Sequence, residues 1–219
     1  ENGNIRVIHT STSEVYGTAQ YVPIDENHPF QPQSPYSATK IAADAMAMSY
    51  YNAFDLPVTI ARPFNTYGPR QSARAIIPTI ITQTLKGKTI KLGSLFPTRD
   101  FTYVEDTVSA FINSINNKKN IGEVVNVGSG FEISIKKLVS IISELMGRKI
   151  NIKRDNLRVR PKNSEVVRLL ASTKKAKKLM NWKPKFSNIN GLKKGLSKTI
   201  SWFSKSENLK SYKTNIFND

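Results

Sequence analysis

The chain holds 219 residues with 33 Lys/Arg against 16 Asp/Glu, a formal net charge of +17, no cysteine and two histidines. Disulfides and thiolate catalysis are excluded, a metal site has too few ligands to be expected, and a reducing compartment such as the cytoplasm fits. No apolar run approaches the roughly 20 residues of a membrane-spanning helix and residues 1–30 carry no signal-peptide pattern, so no membrane partner is expected.

Ile5–His9 is a short β-branched apolar run of the kind that forms a buried parallel strand, and it leads straight into the polar stretch Thr10–Glu14. A loop rich in Pro, Asn and Gln follows, from Gly17 to Ser34. Pro35 opens a helix predicted to reach about Phe54, with Ala42, Ala45, Met46, Ser49 and Tyr50 along one stripe, and Leu56-Pro57 ends it. Val58–Ala61 is a second buried-strand pattern, closed by Arg62-Pro63. Ile76–Leu85 reads as a helix, Thr89–Leu92 as a short strand, Thr107–Ile115 as a helix and Val124–Val127 as a further buried strand before the turn Gly128-Ser129-Gly130. Ile135–Met146 is an amphipathic helix with Gly147 beyond its end, and two short helices are expected near Thr173–Met180 and Gly191–Phe203, with a loose tail after Glu207.

Strand, long helical crossover, strand: this order predicts an α/β fold with a doubly wound parallel sheet, Rossmann-like. Such a fold begins with a strand, a Gly-rich turn and a helix whose N-terminus holds a pyrophosphate. No G-x-G-x-x-G segment occurs, and Gly128-Ser129-Gly130 is too short and too late to be one. The expectation is a Rossmann-like domain lacking its N-terminal half, roughly 100 residues, together with a smaller C-terminal α/β substrate domain. Residues 1–73 are assigned to the Rossmann part, with 100–130 returning to it, and residues 74–99 and 131–219 to the substrate domain.

The positive charge is unevenly placed. Residues 1–109 hold nine Lys/Arg and nine Asp/Glu, so the whole excess lies in residues 110–219. It is mostly lysine along predicted helix faces, as at Lys174, Lys175, Lys177 and Lys178, without the interleaved aromatics of a nucleic-acid stacking platform. A solvated basic surface is the expected meaning, with steering of an anionic nucleotide as a weaker one.

Tyr36 and Lys40 stand four residues apart near a helix start, which brings both side chains to one face about 6 Å apart along the axis. A nearby ammonium favours the phenolate, and a phenolate can take a proton from a sugar hydroxyl. Tyr-x-x-x-Lys alone is a weak signal. Here it is joined by Ser11-Thr12-Ser13-Glu14-Val15-Tyr16-Gly17 at the carboxyl end of a predicted parallel strand, the edge at which open α/β sheets bind ligands.

The runs Thr10–Gly17, Ser34–Lys40, Arg62–Arg70 (Arg-Pro-Phe-Asn-Thr-Tyr-Gly-Pro-Arg) and Arg99–Asp106 (Arg-Asp-Phe-Thr-Tyr-Val-Glu-Asp) resemble, in order and spacing, the extended short-chain dehydrogenase/reductase family. Within it the chain looks most like NAD-dependent sugar-nucleotide 4,6-dehydratases. The stretch from Asn65 to Pro78 narrows the likeness to the N-acetylglucosamine-nucleotide 4,6-dehydratases of legionaminic acid synthesis. The resemblance implies roles. Tyr36 takes the C4 hydroxyl proton as hydride passes to NAD, Lys40 holds the nicotinamide ribose and tunes Tyr36, and Thr12 binds the C4 oxygen. Glu14 takes the C5 proton. Pro63 lines the nicotinamide end and Asn65 faces the substrate phosphates. Arg99 and Arg160 clamp the diphosphate, for which a planar guanidinium fork is suited, and Glu165 reaches the nucleotide ribose. Many hexose dehydratases carry an aspartic acid where this chain has Ser13. A serine hydroxyl is a poor acid, so Glu14 is expected also to serve the departing C6 oxygen.

The implied substrate is a nucleotide-diphosphate sugar of UDP- or GDP-N-acetylglucosamine type, and the implied product a 4-keto-6-deoxy sugar. A nucleotide-uronate decarboxylase or a 4-epimerase of the same family are the nearest alternatives, and a non-catalytic basic RNA-binding module is a distant one. The family commonly dimerises through the Tyr36 helix, and Ala42, Ala43, Ala45 and Met48 are compatible with a homodimer and equally with an intramolecular core. The chain alone, without a phosphate-binding turn, is expected to be inactive.

Overall fold

The computed structural model describes residues 5–210 and 212. Seven α-helices and eight strands are found among them. β1 (Val7–Thr10), β2 (Val58–Pro63) and β6 (Glu123–Val127) form a parallel sheet in the order β1-β2-β6, with His9 opposite Ile60 and Arg62 opposite Asn126. Between the first two strands runs α1 (Pro35–Phe54). Its start is fixed by local chemistry: Ser34 Oγ accepts the Ser37 N–H, Ser37 Oγ accepts the Ser34 N–H, and Pro35 occupies the first turn, where its missing N–H costs nothing. It stops at Asp55, which adopts a left-handed backbone with φ of 53°.

Helices cover both faces of this sheet. His9 and Arg62 meet α1 through Asp44, whereas Val125 and Val127 on β6 pack with Ala110 of α3 (Val104–Asn116) and Ala176 and Met180 of α5 (Lys174–Met180). The arrangement is a Rossmann-like α/β sheet. A second body is built on the sheet β3-β5-β7, from Asn65–Tyr67, Thr98–Tyr103 and Glu132–Ser134, and the parallel pair β4 (Thr89–Leu92) with β8 (Asn151–Arg154). Its core joins Phe101 and Tyr103 to the apolar faces of α2 (Ile76–Lys86), α4 (Ile135–Leu145) and α6 (Asn188–Phe203).

Two differences from the sequence expectations matter. The apolar stripe of α1 is its exposed side: Ala42, Ala45, Met46, Ser49 and Tyr50 all face outward, and the helix buries only Ser37 and Asp44. Its inner face meets polar groups of the sheet, so the hydrophobic pattern marks the outer face instead. The segment from Thr98 to Tyr103, where the sequence pattern predicts no strand, is the central strand of the second sheet. Of the tail, Ser206–Leu209 forms the short α7, and residues 211 and 213–219 lie outside the described residues.

Candidate active site

β1 and β2 are parallel, so their carboxyl ends lie at one edge, and the chain leaving β1 enters a single 3-10 turn, Ser13–Tyr16. Thr12 caps it from an extended backbone, its Oγ1 accepting the Glu14 N–H at 3.2 Å. Gly17 closes it with φ of 60°, where a Cβ would stand 2.5 Å from the carbonyl oxygen of Gln31, so only glycine fits. Val15 and Tyr16 are driven into the core, which leaves Thr12 and Glu14 part-exposed on the wall of a cavity of about 820 Å³.

α1 supplies the second set of groups. Tyr36, Lys40 and Asp44 follow at intervals of four and share one helix face. Tyr36, half exposed, lines the same cavity as Glu14. Lys40 is just behind it and donates from Nζ to the carbonyl of Thr10 at 2.9 Å. Pro63, at the end of β2, and Asn65, which opens β3, also line the cavity, as do Arg99, Arg160 and Glu165 from the second body. Nine of the ten residues singled out in the sequence thus meet at one cavity, and Lys40 is tied to its rim through Thr10.

Arg99 is mostly buried. Its Nη1 donates to the Thr98 carbonyl at 2.9 Å, and its Nη2 lies 3.6 Å from Glu165 Oε1, longer than a strong charge-assisted bond. Burial pushes the guanidinium down from its ordinary value; Glu165 and Glu14 oppose that shift and Arg160 adds to it. Two cations and two carboxylates therefore share this end of the cavity. The pairing leaves N–H donors of Arg99 for an anion. Asn65 Oδ1 and Gln71 Oε1 are buried acceptors on the cavity wall with no hydrogen-bond partner among the described residues, although Gln71 Nε2 donates to the Thr66 carbonyl at 2.7 Å. Each such acceptor costs about 1–3 kcal/mol until a donor arrives, so a ligand carrying O–H or N–H groups fits there.

The run Arg99–Asp106 divides its labour. Asp100, fully buried, accepts four bonds: from the Ser129 N–H at 2.8 Å, Ser129 Oγ at 2.6 Å, the Gly130 N–H at 2.9 Å and the Ala171 N–H at 3.2 Å. Asp106 accepts the Lys185 and Phe186 N–H groups, each at 2.8 Å, and burial raises its carboxyl above the ordinary value. Gly128-Ser129-Gly130 is therefore a packing turn: a Cβ on Gly128 would come within 2.2 Å of Ala171 Cβ.

Sequence reasoning misses Ser11, Tyr16, Asp44 and Arg62 as members of the site's support. Asp44 carries a usable signal, a carboxylate four residues beyond Lys40 on the same face. Tyr16 is pushed up to about 12 by burial, against the opposing Arg62, and so stays a neutral phenol that accepts from Arg62 Nη1 and donates to Asn126 Oδ1, both at 2.8 Å.

A parallel sheet with helices on both faces, bearing a phenol, an ammonium and a carboxylate around one cavity at its carboxyl edge, defines the extended short-chain dehydrogenase/reductase class that handles nucleotide sugars. The family described as GDP-mannose 4,6 dehydratase matches residues 1–195, and the chain belongs to it. It is 33% identical over 206 residues to the dTDP-D-glucose 4,6-dehydratase of Homo sapiens, covering 90% of this chain and 56% of that protein. It is 34% identical over 200 residues to a putative UDP-glucose 4-epimerase of Methanocaldococcus jannaschii, covering 90% and 62%. The fold matches that of Bacillus anthracis dTDP-glucose 4,6-dehydratase in complex with NAD with a TM-score of 0.80 at 31% identity, over 92% of this chain and 62% of the other. The chain thus spans about 60% of the length of the relatives it matches.

Among solved structures similar to this chain, the Bacillus anthracis dehydratase is in complex with NAD and RMD of Pseudomonas aeruginosa, 26% identical, is complexed with NADPH. The residues present fit the nicotinamide end of such a cofactor, with Tyr36 and Pro63 on the cavity and Lys40 donating beside it. The Gly128–Gly130 turn offers no cradle for its pyrophosphate, because it is committed to Asp100 and Ala171.

Proposed function

We propose that the whole protein carrying this chain catalyses NAD-dependent 4,6-dehydration of a nucleotide-linked hexose of N-acetylglucosamine type, giving a 4-keto-6-deoxy sugar. The observation that carries this reading is that Glu14, Thr12 and Tyr36 line one cavity together with Arg99 and Arg160. Tyr36 takes the C4 hydroxyl proton while Thr12 holds that oxygen. The bound NAD supplies the hydride acceptor and later the hydride donor. A ketone at C4 acidifies the C5 proton, which Glu14 removes. Ser13 lines the cavity as a buried hydroxyl with no carboxylic acid beside it in the turn other than Glu14, so Glu14 also delivers the proton that leaves with the C6 oxygen as water. Arg99 and Arg160 hold the diphosphate, Asn65 lies beside it, and Glu165 contacts the nucleotide ribose.

The nucleotide-sugar substrate, the cytoplasmic setting and a homodimer belong to the same reading. The dimer is supported by Met46, Tyr50 and Phe54, which stand outward on α1 at intervals of four, 62%, 48% and 73% exposed. A contiguous exposed apolar row of this kind marks an interaction surface.

The test is Glu14→Gln in the whole protein, followed by product mass. The wild type should release a product lighter by one water and the variant should not. Loss of carbon dioxide would make the protein a decarboxylase, and an unchanged mass with inverted C4 would make it an epimerase. Undiminished water loss in the variant would show that another group removes the C5 proton.

A further inference from the structure

The reactive turn and the Tyr36 helix are joined beneath the cavity by a buried ion pair. Arg62, 2% exposed, donates from Nε at 3.0 Å and from Nη2 at 2.9 Å to Asp44 Oδ2, and Asp44 is 3% exposed. Ser11 Oγ donates to the same oxygen at 2.8 Å, and His9 Nε2 lies 3.1 Å from Oδ1. On its far side Arg62 donates to Tyr16, which donates in turn to Asn126 of β6, and the guanidinium carbon lies 5.1 and 4.9 Å from the ring centres of Tyr16 and Phe30.

These contacts have a consequence for geometry. Ser11 and Tyr16 bracket Thr12, Ser13 and Glu14. Ser11 is held by the carboxylate of the pair and Tyr16 by its guanidinium. The carboxylate stands on the same face of α1 as Lys40 and Tyr36, one and two turns further along. A turn carrying the C5 base and a helix carrying the C4 base are thereby referred to one buried point. An ion pair this well buried is weak as a source of stability, but it is directional and tolerates little displacement.

We propose that Asp44 and Arg62 are positioning residues that set the placement of Glu14 relative to Tyr36, so that the oxidation at C4 and the elimination across C5 and C6 act on one bound hexose without its moving. The inference rests on the dehydratase reading and adds to it two residues that do not line the cavity.

The experiment compares the wild type with Tyr16→Phe, Ser11→Ala and Asp44→Asn in the whole protein, reading kcat and KM, thermal unfolding, and in single turnovers the absorbance of reduced nicotinamide. Tyr16→Phe and Ser11→Ala each delete one hydroxyl, so they remain informative where Asp44→Asn does not fold. The expected result is a fall in kcat of about tenfold to a hundredfold with KM within about twofold, because small misplacements of reacting groups act on rate more than on binding. Reduced nicotinamide should also build up to a higher level than in the wild type, because elimination is slowed more than C4 oxidation. Tyr16→Phe and Ser11→Ala proteins that melt earlier but keep wild-type kcat and the wild-type level of reduced nicotinamide would overturn the inference, leaving the pair a purely structural one. A wild-type product of unchanged mass is a different failure: it overturns the dehydratase reading, and the coupling of two steps falls with it.

Discussion

The ammonium of Lys40 donates to the carbonyl oxygen of Thr10 at 2.9 Å, so the second turn of α1 is pinned to the last residue of β1, two residues ahead of Thr12. One of three N–H donors is thereby spent and two remain for a ligand. Replacing Lys40 by Met should remove both functions. The expected loss is about 10²–10⁴-fold in kcat, the usual scale for disabling a positioned acid–base group. Lys40→Arg should not restore it, since a planar fork cannot occupy the place of a compact ammonium. Steady-state rates of the whole protein check this, and a Lys40→Met variant within a few-fold of wild type would remove Lys40 from the mechanism.

Arg99 makes a separable prediction. It lines the cavity with Arg160, and in the proposed reading the two hold the diphosphate. Arg99→Lys keeps the charge and loses the two-pronged geometry. KM for the nucleotide sugar should rise by about tenfold, roughly 1.4 kcal/mol, with kcat little changed. A fall in kcat at constant KM would place Arg99 at the reacting ring instead of the diphosphate.

Much of this site is legible in the sequence because its residues sit on regular elements with simple geometry. Tyr36 and Lys40 share a face by helical spacing, and Thr12–Glu14 follow a strand that β-branched residues announce. Arg62 reads in the sequence only as the end of a strand, because nothing local distinguishes a buried arginine from a surface one: its partners are 18 and 46 residues away. The strand Thr98–Tyr103 escapes the pattern for a related reason. Its Arg99, Asp100 and Thr102 break the apolar run of a buried strand. Asp100 is buried because four donors from distant segments converge on it, and Thr102 Oγ1 lies 3.5 Å from Asp100 Oδ1. Periodicity reports burial of apolar groups and is silent about polar groups buried in pairs.

Glu26 ties the Gln20–Phe30 loop to the sheet by accepting the Asn126 N–H at 2.8 Å. Burial pushes its carboxyl above the ordinary value, against the lowering effect of that hydrogen bond and of Lys175. An acid whose pKa is raised on folding binds its proton more tightly in the native state. Its contribution to stability is therefore complete below about pH 4, the unfolded value, and is lost as the pH rises through the raised native one. Glu26→Gln keeps an acceptor for Asn126 and cannot titrate. The difference in melting temperature, wild type minus variant, should accordingly decline between about pH 4 and neutrality. Parallel curves across that range would mean that Glu26 titrates as it does in the unfolded chain.

Asp100 provides the sharpest stability test. Its Oδ1 accepts from the Ser129 N–H and hydroxyl and its Oδ2 from the N–H groups of Gly130 and Ala171, all in a fully buried setting. Asn offers one acceptor oxygen: with its NH₂ toward Gly130 and Ala171 two N–H groups lose their acceptor, and with it toward Ser129 the N–H there does while the hydroxyl can turn to accept, so in either orientation a buried backbone donor faces an NH₂ and the other bonds lose their charged acceptor. Each buried unsatisfied group costs about 1–3 kcal/mol, and bonds to a charged acceptor stand at the upper end, so Asp100→Asn should cost about 3–5 kcal/mol in denaturant unfolding. Ser129→Ala removes one hydroxyl donor and leaves the carboxylate three backbone N–H groups, so about 1 kcal/mol is expected. The contrast between the two substitutions is the informative quantity. Equal losses would mean that the hydroxyl, and not the convergence of backbone donors on the carboxylate, holds the Gly128–Gly130 turn against the strand that presents Arg99 to the cavity.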